Sequence, residues 1–154
     1  MNATIDHVIT VLNDLVEVLK DGEYGFKTAA DDAKAPELKR LFHNYSNQRA
    51  EFASHLQARV LALGAPVEKH GSVTGSLHRG WINLKAAIST NEPHAVLAEA
   101  ERGEDSALES YKKALETEDL DSETRTLISH QYGAIRAVHD RVKELRDSPA
   151  YKKP

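Results

Sequence analysis

The sequence predicts an all-α protein built as a bundle of four long helices, with a short fifth helix in a long central connection. Three observations carry this. Apolar residues recur every three and four positions through four long stretches, the spacing of one buried helical face. The 5 prolines and 8 glycines, the residues that interrupt helices, are confined to a few places. The gaps between the periodic stretches are unequal: short around Pro36, short again over Glu118–Ser122, and long from Ala65 to Pro93.

The first stretch runs from about Thr4 to Lys34, with Ile5, Val8, Leu12, Leu15, Leu19, Gly22, Phe26 and Ala29 on one face. Asn2 or Thr4 is the expected N-cap, with Asp6 favoured in the first turn by the helix dipole. Gly22 and Gly25 each cost about 1 kcal/mol relative to alanine inside a helix. They are expected to leave packing space for a close neighbour. Pro36 opens the second helix, because its ring suits a first turn and forces the preceding residue out of the α region. Leu38, Phe42, Tyr45, Phe52, Leu56, Val60 and Leu63 form its stripe, Gly64 is the expected left-handed stop, and Pro66 prevents continuation. The short turn makes these two helices antiparallel neighbours.

The connection that follows is long enough to run the length of a bundle, so the second and third long helices are expected to be parallel. Within it, Ser76–Ile88 reads as a short amphipathic helix with Leu77, Trp81, Leu84 and Ile88 on one side. Pro93 opens the third long helix, with Thr90 or Asn91 as its cap, and this helix runs to about Glu116. The fourth begins near Ser122, carries Leu127, Ile128, Gln131, Ile135, Val138, Val142 and Leu145, and ends before Pro149. Residues 1–148 are expected to form the single domain, and 149–154 a flexible tail.

Composition excludes several functions. There is no cysteine, which removes disulfides, thiolate metal sites and thiol catalysis. A net charge of -4, with acids and bases interleaved along every helix, predicts no nucleic-acid partner. No apolar run approaches the roughly 20 residues of a membrane span. The N-terminus lacks the basic and apolar regions of a signal peptide, so a cytoplasmic location is expected. Neither a phosphate-binding loop nor a nucleophile elbow is present.

Two short turns flanking one long crossover give a chain that resembles the ferritin-like architecture. More narrowly, it resembles a bacterial family of ferritin-like four-helix-bundle proteins classed as a domain of unknown function. The residues that carry the match are Leu77–Ala87 in the crossover, Glu101–Leu108 in the third long helix and Ile135–Arg141 in the fourth. The resemblance covers nearly the whole chain and implies the fold. It carries no activity with it.

One residue poses the functional question. Glu104 falls within about 20° of the centre of the stripe formed by Leu97, Ala100, Leu108, Tyr111 and Leu115. An ionised carboxylate facing a core must be paired, hydrogen-bonded or bound to a metal. A ferritin-like di-iron centre requires a glutamate from each of two helices and a Glu-x-x-His pair from each of the other two. Here the pairs at that spacing are Gln48-x-x-Glu51 and Gln131-x-x-Ala134, and Leu15, Val18 and Leu19 present no carboxylate from the first helix. The expectation is therefore a degenerate site: a buried polar layer of Gln48, Glu104 and Gln131, with Glu104 bonded to the Gln131 amide. The competing reading is a reduced metal site of Glu51, Glu101 and Glu104 that takes iron or another divalent cation. His139 with Glu23 forms a second, weaker metal candidate. The expected role is a non-enzymatic structural or interaction protein acting through its surface as a homo-oligomer, with no cofactor; the alternative is a metal-binding protein centred on Glu104.

Overall fold

The computed structural model describes residues 3–67 and 81–153. Among these residues the chain forms five helices: α1 (Ala3–Asp32), α2 (Pro36–Ala62), α3 (Leu84–Ser89), α4 (Pro93–Leu115) and α5 (Ser122–Asp147). The most extensive packing is between α1 and α2 and between α4 and α5, with α1 also lying against α4 and α2 against α5. The molecule is thus two antiparallel hairpins packed face to face.

Three contacts fix the relative direction of the hairpins. Lys34, just before α2, reaches Asn91, just before α4 (3.5 Å). Arg49 in the middle of α2 meets Glu104 in the middle of α4. Arg59 near the end of α2 meets Asp121, which follows α4 (2.8 Å). So α2 and α4 run parallel, which is the consequence of a crossover that spans the bundle.

The helix ends follow local chemistry. Ala35 is extended (ψ 120°) ahead of Pro36, as the proline ring demands. Gly64 has φ 97°, with its N–H on Leu61 O and the N–H of Ala65 on Val60 O, so α2 stops in a Schellman motif. The capping residue expected at α4 differs. Thr90 accepts the N–H of Glu92 within the turn rather than capping α4; α5 begins at Ser122 as expected, capped by Asp121, which accepts the N–H of Thr124 (3.1 Å). Asn2 lies outside the described residues, and Thr4 is already within α1.

Asp121 also pairs with Arg59, whose other nitrogens donate to Thr124 Oγ1 and Glu123. Burial is the largest single influence on the Asp121 carboxyl and raises it, but the hydrogen bonds from Thr124 and the Arg59 charge and hydrogen bond together outweigh it and hold the group below the usual carboxylate range. A folded-state pKa below the unfolded one contributes stability that is present above the unfolded value and lost as pH falls through the folded value. Asp121→Ala is therefore expected to cost about 1 kcal/mol at neutral pH. The difference from wild type should shrink in acid, as read from urea melts at two pH values.

Of the short crossover helix expected over Ser76–Ile88, residues 76–80 lie outside the described residues, and α3 covers Leu84–Ser89. Its start is fixed from α4: Glu99, buried although acidic, accepts the N–H of Asn83 (2.8 Å). Residues past α5 also depart from expectation. Instead of trailing away, the chain turns at Ser148, which accepts the N–H groups of Tyr151 (3.1 Å) and Lys152 (2.8 Å). Tyr151 packs on the core end near Leu38 and Leu97, donates its hydroxyl to Glu37, and offers its carbonyl to the ring of His94. A half-buried aromatic with two polar partners repays the entropy of ordering this segment. Burial and the Glu37 carboxylate push the Tyr151 hydroxyl up to about 12.

The interior is divided in two. One apolar cluster contains Leu12, Leu15, Leu19, Phe52, Leu56, Tyr111, Ile128 and Ile135. The other contains Phe26, Phe42, Trp81, Leu84, Leu97, Val138 and Val142. Between them, at Gly22 of α1, Arg49 of α2, and Gly103 and Glu104 of α4, lies a layer that is not apolar.

Candidate functional site

Glu104 is fully buried and its partner is Arg49, itself 1% exposed. The pair is bidentate: Arg49 Nη1 and Nη2 donate to the two Glu104 oxygens, each at 2.5 Å. Gln48 Oε1 accepts from Arg49 Nε (3.2 Å), and the guanidinium carbon sits 5.3 Å from the Phe26 ring centre. Gly22 makes the room, because a Cβ there would lie 3.2 Å from Arg49 Nη1. A fork of N–H donors matched to both carboxylate oxygens is the strongest arrangement available to such a pair.

Gln131 belongs to a separate bond set. Its Oε1 accepts from the Tyr111 hydroxyl (2.7 Å) and its Nε2 donates to Phe52 O (3.2 Å). Burial, with Glu104 adding and Arg49 opposing, holds the Tyr111 hydroxyl far above its ordinary value, so it stays a donor. The expected bond from Glu104 to the Gln131 amide is thus replaced on both sides. The guanidinium satisfies both Glu104 oxygens, and Tyr111 and a backbone carbonyl satisfy Gln131.

Arg49 was legible. It lies seven residues after Phe42 and seven before Leu56, and it fills the gap between Tyr45 and Phe52 in the α2 stripe. Arginine is so rarely buried that the position reads as solvent-facing unless the periodicity is trusted over residue type. Asp21 on α1 is buried as well, two residues beyond Leu19, the last of the three positions from which no inward carboxylate is expected.

The ligands proposed from sequence do not come together. Glu51 is exposed, Glu104 is occupied by Arg49, and Glu101 turns to the α4–α5 groove. There Glu101, Asp105 and His139 bring one ligand atom each within 4.8 Å of one another. His139 Nε2 lies 2.7 Å from Asp105 Oδ1 and 3.6 Å from Glu101 Oε2. Its Nδ1 is 3.0 Å from Asp140 Oδ1, and Arg146 holds the other Glu101 oxygen. The acidic neighbours of His139 are an i, i+4 pair on α4, not the expected Glu23. Asp105 was missed, although that spacing on the helix next to His139 was the available signal.

A di-iron pair at the mid-bundle does not fit these residues. The inward carboxylate of α4 already carries a fixed cation, and neither α2 nor α5 supplies a Glu-x-x-His pair. Arg49 supplies there the positive charge that a metal would otherwise bring.

Parallel second and third long helices, a helical crossover and a divided core define a ferritin-like bundle. The chain belongs to the family described as Domain of unknown function (DUF2383), whose pattern matches residues 7–117. It is similar in structure to a point mutant of Dps1 from Mycobacterium smegmatis, with a TM-score of 0.76 and 16% identity, covering 95% of this chain and 99% of that one. At that identity the likeness concerns the fold. No curated protein matches the sequence significantly. Among the described residues, no helix is long and apolar enough to cross a membrane.

Proposed function

We propose that this protein is a non-enzymatic ferritin-like bundle, with residues 1–148 as one domain, that acts through its surface as a homo-oligomer in a bacterial cytoplasm. The observation that carries the reading is the Arg49–Glu104 pair. With a guanidinium on the core carboxylate, the mid-bundle position where this fold can build oxygen chemistry holds a structural ion pair. What is left to act is the outside of the bundle. The similarity to Dps1 supports the fold on which such an assembly would be built. The net charge of -4 and interleaved charges favour protein partners over nucleic acid.

The test is light scattering after size-exclusion chromatography, alongside oxygen uptake with ferrous iron. A discrete multimer that oxidises ferrous iron no faster than buffer is expected. A monomer at every concentration, or iron oxidation that saturates with protein, overturns the reading.

A further inference from the structure

The α4–α5 groove holds a feature that neither the core pair nor an assembly surface uses. From it we propose a divalent cation site, of the Zn²⁺ class, formed by Glu101 and Asp105 on α4 and His139 on α5. It lies on the flank of the bundle and is independent of the mid-bundle position.

The donor set is the first argument. One imidazole nitrogen with two carboxylate oxygens suits a borderline transition cation, whereas Mg²⁺ and Ca²⁺ prefer all-oxygen shells. Zn²⁺ binds nitrogen at about 2.0–2.1 Å and carboxylate oxygen at about 2.0–2.2 Å, so tetrahedral ligand atoms stand about 3.4 Å apart. The nitrogen-to-oxygen separations already present, 2.7 and 3.6 Å, bracket that value. Binding then needs adjustments of under about 1 Å, within reach of side-chain rotation.

The orientation of the ligands is the second. Asp140 sits against His139 Nδ1 at 3.0 Å and fixes the ring so that Nε2 faces the two carboxylates. Arg146 takes Glu101 Oε1, while Oε2 is the oxygen turned towards His139. Glu101 and His139 thus each have one atom held by a neighbour and the other directed inward, where Asp105 Oδ1 meets them. A cation binds through the Nε2 lone pair, with Nδ1–H donating to Asp140. Exposure is the third argument. The side chains of His139 and Glu101 are 15% and 13% exposed, and that of Asp105 is 60% exposed. The site is walled on two sides and open on the third, where water completes the shell. Glu101, Asp105 and Asp140 surround the His139 ring, and the one guanidinium on Glu101, Arg146, is shared with Asp147.

The probe is Zn²⁺ itself, titrated calorimetrically into the full chain in a chelator-free buffer, with Co²⁺ absorption reporting the geometry. One saturable equivalent is expected, weakened at least tenfold by His139→Ala and by Asp105→Asn. His43→Ala, which removes an exposed histidine 4.0 Å from Asp31, should leave it unchanged. Asp105 is exposed, so its variant keeps the fold, and thermal melts confirm this for each protein. No saturable equivalent in the wild type, or wild-type affinity in the His139→Ala and Asp105→Asn variants, overturns the site. Neither result depends on whether the protein is an oligomer.

Discussion

Arg49→Met is expected to destabilise the fold by about 3–5 kcal/mol, the cost of stranding a buried carboxylate without its counter-charge. For a chain of this size about 1 kcal/mol corresponds to 2–4 °C, so the midpoint should fall by roughly 6–20 °C. Glu104→Leu alone should lose a similar amount, because it leaves a guanidinium, 1% exposed, without its carboxylate. The double variant Arg49→Met, Glu104→Leu should recover to within about 1 kcal/mol of wild type or exceed it, since two desolvated charges give way to apolar packing. Urea melts of the four proteins form a double-mutant cycle that isolates the coupling. An Arg49→Met variant as stable as wild type would show that the carboxylate is satisfied by some other partner.

The second large effect is expected at Trp81, the single tryptophan of the chain. Its indole is 2% exposed and edge-on to Phe26, with ring centres 4.9 Å apart. It is wedged between two glycines: a Cβ on Gly25 or Gly103 would lie 2.4 or 2.3 Å from its ring atoms. Trp81→Ala should cost about 3–5 kcal/mol. Gly103→Ala should cost about 1–3 kcal/mol through overpacking, and more if the indole is expelled, with its fluorescence shifting to the red. The contrast is Gly133→Ala on α5, where a Cβ would meet nothing within 4 Å. The same change there should stabilise by about 0.4–1 kcal/mol. If Gly103→Ala and Gly133→Ala behaved alike, the wedge would not be tight.

These two features show how far the sequence could be read. The helices, the Schellman stop at Gly64, the parallel second and third long helices and the inward position of Glu104 follow from periodicity, turn residues and connection length, all local properties. Gly22 and Gly25 announced a close neighbour, yet nothing local says that the neighbours are Arg49 and Trp81. Those contacts come from distant parts of the chain, and their geometry is set only when the hairpins meet. The pairing of Glu104 was misread for the same reason. A glutamine amide was an available partner by height, but a guanidinium in the same layer matches both oxygens and the charge. Glu101, read from the sequence as a companion of Glu104, lies instead beside Asp105 and His139. Glu104 and Asp105 flank Glu101 on opposite sides, about 60° and 40° round α4, so the first turns into the core and the second toward the open groove, a direction that spacing alone does not give.

The Arg49–Glu104 bond also bears on how the fold comes apart in time. Each hairpin is held by contacts close in sequence, but this bond joins residues 55 positions apart, one from each hairpin. It gains its full strength only once both groups leave water, which happens when the hairpins close on one another. Interactions completed after the folding barrier act on the rate of opening rather than on the rate of closing. The pair is therefore expected to act as a latch: breaking it by removing one partner should speed the opening of the two halves more than it slows their closing.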